Sequence, residues 1–204
     1  DLHDDEGRQL ASQIAATSSV VIVGFRPGVA ERLGMSYADV VSVNPSVLYV
    51  RLSGYGTDGE YAARPGHDLS FQAMAGFLAR DSDGSPRMPH LPLADYVSGL
   101  FVALGIVAGL REVERTGHPM SVDLAMLDSL LAANGPSIAA TLNEEDPPRH
   151  PPLDPGYGLF ETKNGRHVSL SVSGEAHLWK QICEALELPA LAALTASERV
   201  ARRA

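Results

Sequence analysis

A chain of 204 residues with 45% hydrophobic and 20% charged side chains has ordinary globular usage, enough for one good core or two small ones. A formal net charge of −9, with only 16 Lys and Arg spread along the chain, excludes a dedicated nucleic-acid surface, although a few local cations such as Arg26, Arg32 and Arg51 suffice for an anionic cofactor. Cys183 is the single cysteine, so internal disulfides and cysteine-based zinc sites are excluded, and the acidic start Asp1-Leu2-His3-Asp4-Asp5-Glu6 lacks an apolar signal core.

Residues 5 to 17 have helical periodicity, with Leu10, Ile14 and Ala15 on one stripe, and Val20 to Val23 form a short continuous apolar strand. Ser36-Tyr37-Ala38-Asp39 has capping-box spacing and opens a short helix to about Val43; Val47 to Leu52 then reads as a second buried strand. Asp68 to Ala79 is expected as a helix, Arg80 to His90 as a polar loop, and Ala94 to about Glu114 as a long helix closed by Gly117 and Pro119. Its apolar run from Val97 to Leu110, about 14 residues against the roughly 20 of a bilayer span, predicts a buried helix whose glycines allow close packing. Met120 to Leu124 reads as a strand and Ala125 to Leu142 as one further helix.

From Asn143 to Pro155 the chain is rich in Pro, Glu and Asp and reads as a linker. Beyond it, Tyr157 to Thr162 and His167 to Val172 flank Asn164-Gly165, which suits a tight primed hairpin turn. Glu175 to Leu186 is helical, with Trp179 and Cys183 expected in a core, and the Ala-rich remainder is expected to be helical too. The fold class is therefore α/β: a Rossmann-like parallel sheet with crossover helices over 1–142, a linker over 143–156 and a smaller α+β lobe over 157–204.

Parallel sheets bind ligands beyond the carboxyl ends of their strands. Phe25-Arg26-Pro27-Gly28 and Ser53-Gly54-Tyr55-Gly56 each follow a strand, so both are expected on that edge, where glycine backbone can approach a ligand and Arg26 can pair with phosphate. Turn chemistry and a surface ion pair are the structural alternatives. Gly66-His67-Asp68 and Leu93-Ala94-Asp95 supply an imidazole and a carboxylate, groups that move protons or attack an activated carbonyl. Taken singly, His67 reads as a solvated or capping histidine and Asp95 as a helix N-cap. No His-x3-His or Cys-x2-Cys spacing occurs, and no metal is expected.

Gly24-Phe25-Arg26-Pro27-Gly28-Val29-Ala30-Glu31-Arg32-Leu33-Gly34, Ser53-Gly54-Tyr55-Gly56-Thr57-Asp58-Gly59, Gly66-His67-Asp68, Arg115-Thr116-Gly117-His118-Pro119-Met120-Ser121-Val122-Asp123 and Asn164-Gly165-Arg166 occur in one register. Together they resemble the family III CoA-transferases, which include α-methylacyl-CoA racemase. The resemblance implies coenzyme A as part of an acyl-CoA substrate, a carboxylic acid acceptor, and Gly24, Phe25, Arg26, Arg32, Gly66 and Asp68 around the CoA. In the transferase branch the residue matching Asp95 is a nucleophile that comes to hold CoA as an aspartyl thioester, and the Ser98-Gly99 amides are candidates for the oxyanion. In the racemase branch the residues matching His67 and Asp95 move the proton next to the thioester carbonyl, and Glu175 aligns with a supporting glutamate. The alternative for Glu175 is a carboxylate serving the start of its own helix. The family forms intertwined homodimers, and its members begin with a strand and loop not found here, so an incomplete family fold and a non-catalytic CoA-binding fragment are also expectations to test. A cytoplasmic location, with neither nucleic acid nor membrane as partner, completes the reading.

Overall fold

The computed structural model describes residues 1–81, 83–143 and 154–202, which form two compact units, Asp1–Ile138 and Ala139–Ala204. Most of the linker expected over 143–156 lies outside the described residues.

The first unit is built on three parallel strands, β1 (Val20–Val23), β2 (Leu48–Ser53) and β3 (Met120–Ala125), in the order β1-β2-β3. Val20 pairs with Leu48, and Leu48 with Met120. β2 is central, and its side chains alternate as a strand buried on both faces requires. Tyr49 faces a cluster with Ala15, Val23, Met35, Val40 and Val47, where α1 (Asp5–Ala16) and α3 (Tyr37–Val43) pack. Leu48 and Val50 face the opposite cluster with Val102 and Val113 of α5 (Leu93–Thr116). The buried Tyr49 hydroxyl donates to the Met35 carbonyl at 2.7 Å, and burial pushes its pKa up to about 12.

Local chemistry explains the helix boundaries. The Ser36 and Asp39 side chains form the expected reciprocal capping box at the start of α3. A one-turn helix not foreseen from periodicity, α2 (Val29–Arg32), follows the first strand-end loop. α4 (Asp68–Met74) stops five residues short of the expected Ala79, because Gly76 enters the left-handed region at φ 78°. The Phe77 amide then donates to the Gln72 carbonyl and the Gly76 amide to that of Ala73, a Schellman closure.

The single helix expected over Ala125 to Leu142 is two, α6 (Met126–Ala133) and α7 (Gly135–Leu142). Pro136 has no amide hydrogen for a continuous ladder but fits a first helical turn. α5 departs most from expectation. In place of the buried helix that its apolar run predicts, Leu100, Leu104 and Val107 are about 70% exposed. In length and apolarity this 24-residue helix suffices for a bilayer, but its inward side packs on the sheet. Gly109 lies so close to β2 that a Cβ there would come within 2.6 Å of Leu48. Along α1, likewise, Ala15 is buried while Leu10 and Ile14 of the expected stripe are exposed.

In the second unit, β4 (Tyr157–Glu161) and β5 (His167–Ser171) form the expected antiparallel hairpin. Its turn is a three-residue loop, not a two-residue primed turn. The Gly165 amide donates to Thr162 O, Gly165 alone takes positive φ, and the Thr162 amide donates to Arg166 O, the geometry of a type I turn with a glycine bulge. Val172, Trp179 and Cys183 form the core with α8 (Ala176–Ala185), and a short 3₁₀ turn, Pro189–Leu191, precedes α9 (Ala196–Ala201).

Candidate active site

Three strand-end loops of the first unit surround one cleft of about 380 Å³. Gly24 to Pro27 follow β1, Leu52 to Gly54 close β2, and Met126 begins α6 just after β3. A parallel sheet with crossovers delivers such an edge, where strand carboxyl ends and loop backbone meet. The fourth wall is Ala62, Arg64, Pro65, Gly66 and His67, the loop leading into α4. Phe71 of α4 forms its floor: a Cβ at Gly54 or at Gly66 would come within 2.8 Å of that ring. Both glycines are thus required by close approach, not by turn geometry. A neighbouring cleft of about 280 Å³ shares Phe25, Arg26 and Pro27 and adds Glu31, Arg51 and Thr57.

The site's cations come from both clefts. Arg26 lines the two, and Arg64 stacks its guanidinium 4.3 Å from the Tyr61 ring centre beside Tyr55 and Phe71. Arg51 reaches Asp123 across the β2–β3 pair at 3.4 Å, while its buried Nε has no hydrogen-bond partner among the described residues. Thr57 donates a short hydrogen bond to the same Asp123 carboxylate. Arg32 is exposed on α2 and lines neither cleft.

His67 occupies the N-cap position of α4 without making a side-chain cap, and its imidazole has no hydrogen-bond partner among the described residues. It is exposed at the cleft wall. Asp95 is not the N-cap that its place in the sequence suggests. The N-cap of α5 is Pro92, which places Asp95 third in the helix. A capping box needs an amide hydrogen at the N-cap, and proline has none, so the Asp95 carboxylate has no reciprocal partner there. It is exposed and accepts no hydrogen bond from the described residues.

Asp95 lines neither cleft, but its backbone is tied to the wall. Asp68, next to His67, accepts from the Ala94 amide at 2.7 Å and from the Asp95 amide at 3.4 Å. Imidazole and carboxylate therefore sit on two elements joined by one intervening side chain. Ser98 and Gly99, expected to offer amides to an oxyanion, lie beyond the first turn of α5, where the helical ladder uses those groups. Ser98 is fully buried and its hydroxyl donates back to the Ala94 carbonyl. Glu175 lies in the second unit at the N-cap position of α8, where it accepts from the Ser173 amide at 2.7 Å. Its own backbone amide and that of Ser173 hold its carboxyl below the usual range.

Arg64 carries no signal of its own in the sequence. Residues 57 to 66 have no periodicity, yet Arg64-Pro65-Gly66 repeats the triplet Arg26-Pro27-Gly28, and the arginine of each lines the same cleft.

A sequence profile described as CoA-transferase family III matches residues 1–204. The chain is 32% identical to acetyl-CoA:oxalate CoA-transferase of Acetobacter aceti over 94% of its own length and 50% of that protein's. It is also 32% identical to succinyl-CoA:mesaconate CoA-transferase of Haloarcula hispanica over 100% of this chain and 54% of the relative. The crystal structure of a CAIB/BAIF family protein from Brucella suis superposes with a TM-score of 0.82 at 27% identity, covering 100% of this chain and 56% of that one. The chain thus spans about half the length of the relatives it matches.

Proposed function

The chain belongs to CoA-transferase family III, and on that footing we propose that it moves coenzyme A from an acyl-CoA to a carboxylic acid, with Asp95 as the covalent nucleophile. The observation that carries this reading is an unbonded carboxylate at Asp95, tied through Asp68 to the wall of a cleft with two arginines. A free carboxylate is the reagent that such a reaction needs, and Arg26 and Arg64 suit an anionic cofactor.

An Asp95 carboxylate oxygen attacks the thioester carbonyl, the C–S bond breaks, CoA leaves as thiolate, and a mixed anhydride of Asp95 and the acyl group remains. The thiolate then attacks the aspartyl carbonyl, the anhydride C–O bond breaks, and the acyl group departs as a carboxylate. The second acid reverses both steps, takes the CoA and restores Asp95. The anhydride is about as reactive as the thioester, so neither direction climbs far and one hard exchange becomes several easier ones.

Brief exposure to a panel of acyl-CoAs, followed by peptide mass spectrometry, tests the assignment. A CoA adduct on the Asp95 peptide, lost with hydroxylamine, is expected; Asp95→Asn removes it and lowers turnover by at least about 1000-fold. Turnover with no adduct under any substrate refutes the mechanism. One observation favours racemisation as a second reading: the unbonded His67 imidazole faces the cleft. Racemisation in heavy water puts deuterium beside the thioester carbonyl, and CoA transfer does not require it. A chain that binds CoA and gives neither result is the non-catalytic fragment.

A further inference from the structure

The two oxygens of the half-buried Asp68 are both engaged inside the first unit. Oδ1 accepts from the amides of Ala94 and Asp95, and Oδ2 from Gln72 Nε2 at 2.6 Å. Gln72 is 2% exposed and also donates to the Leu91 carbonyl at 2.9 Å, so α4 grips the chain on both sides of Pro92. The Leu93 amide donates to Leu91 O and that of Tyr96 to Pro92 O. Every amide of the first turn of α5 therefore has an acceptor other than the Asp95 side chain.

That matters because, although Pro92 offers no capping-box amide, first-turn amides without another acceptor remain within reach of a carboxylate on the same turn. A carboxylate accepting such bonds is both turned away from a substrate and a weaker nucleophile, since the bonds stabilise its charge. Here another carboxylate does that work. Negative charge from Asp68 also meets the positive end of the 24-residue α5.

We propose that Asp68 is a positioning residue: by taking the Ala94 and Asp95 amides it fixes the start of α5 and keeps the Asp95 carboxylate free to react. The inference rests on the reading of Asp95 as the nucleophile for its role in turnover, but not for its effect on the freedom of that carboxylate.

The test compares Asp68→Ala and Asp68→Asn with the unaltered protein in two readouts. Labelling of the Asp95 carboxylate with a carbodiimide and an amine, read by peptide mass spectrometry, needs no turnover. It is expected to fall at least about threefold in Asp68→Ala, as Asp95 takes up the released amides, and to recover in Asp68→Asn, which keeps an acceptor oxygen. In turnover, Asp68→Ala is expected to lose about 100-fold in kcat with KM for acyl-CoA changed less than about threefold, and Asp68→Asn to regain most of it.

Unchanged labelling and kcat in Asp68→Ala overturn the proposal, as does an Asp68→Asn variant no better than Asp68→Ala. An unaltered protein that turns over without a CoA adduct sinks the transferase mechanism, while the labelling comparison still decides the role of Asp68. Should Asp68→Ala fail to fold, hydrogen exchange of the unaltered protein decides instead. The Ala94 amide is expected to exchange at least about tenfold slower than an unbonded amide, and exchange at the free rate refutes the assignment.

Discussion

Arg64 shows what one side chain adds to the cleft. It stacks on Tyr61 and lines the same cleft as Arg26, so two loops each bring a cation to it. Replacing Arg64 by alanine removes one charge-assisted contact at a partly wet site, about 1.4 kcal/mol, and KM for acyl-CoA is expected to rise roughly tenfold with kcat held. Steady-state kinetics check it, and a fall in kcat at constant KM would place Arg64 in the chemistry instead. The residues themselves were unevenly legible. Arg26, Gly66 and His67 follow recognisable strand-end or family patterns, and all three line the cleft. Asp95 was legible as a residue but not in its position, since the N-cap is Pro92, three residues before the one its place in the sequence suggests. The Asp95 amide is held by Asp68, 27 residues away in sequence, and no local pattern carries a contact of that span.

At the scale of elements, apolar patterning located β1, β2, β3 and α1, a capping box located α3, and an apolar run closed by Gly117 and Pro119 located α5. Patterning failed where backbone chemistry overrides the repeat, at the Gly76 closure of α4 and at Pro136 between α6 and α7. It also failed for the burial of α5, whose apolar residues surround the helix and so carry no single facing direction. The glycines of that helix separate what the pattern could not. Gly109 meets Leu48, a side chain with no exposure at all, whereas a Cβ at Gly99 would meet no atom within 4 Å. Gly109→Ala is expected to destabilise by about 1–3 kcal/mol through overpacking against β2. Gly99→Ala is expected to stabilise by up to about 1 kcal/mol through helix propensity. Denaturant unfolding of both variants checks the pair, and equal signs would mean that α5 does not pack on β2 as described.

At the scale of the whole chain, the α/β class was legible because helices and strands alternate in the rhythm of a parallel sheet, with a separate hairpin pattern after it. What no pattern announced is how the second unit is held. Its core is small, and Leu159 and Phe160 of the hairpin are exposed, so apolar burial alone gives it little margin. Asp154 and Arg199 supply the rest. The two are 6% and 2% exposed, and Arg199 Nε donates to both Asp154 oxygens at 2.9 and 3.1 Å, with a further short bond from Nη2. Asp154 also accepts from the Gly156 and Gly174 amides, and the guanidinium packs over Trp179. The bonds from Arg199, foremost, hold the Asp154 carboxyl below the usual range. A depressed folded pKa means that this stabilisation is complete above the unfolded carboxylate value, about 3.9, and is lost as pH falls through the lower folded value. Asp154→Ala strands a buried guanidinium and is expected to cost about 3–5 kcal/mol at neutral pH, and it removes this group's share of the acid dependence. Trp179 is the only tryptophan of the chain, so its fluorescence reports this unit alone. An Asp154→Ala variant whose tryptophan transition matches that of the unaltered protein at pH 7 and at pH 3 would show that the buried pair does not hold the unit together.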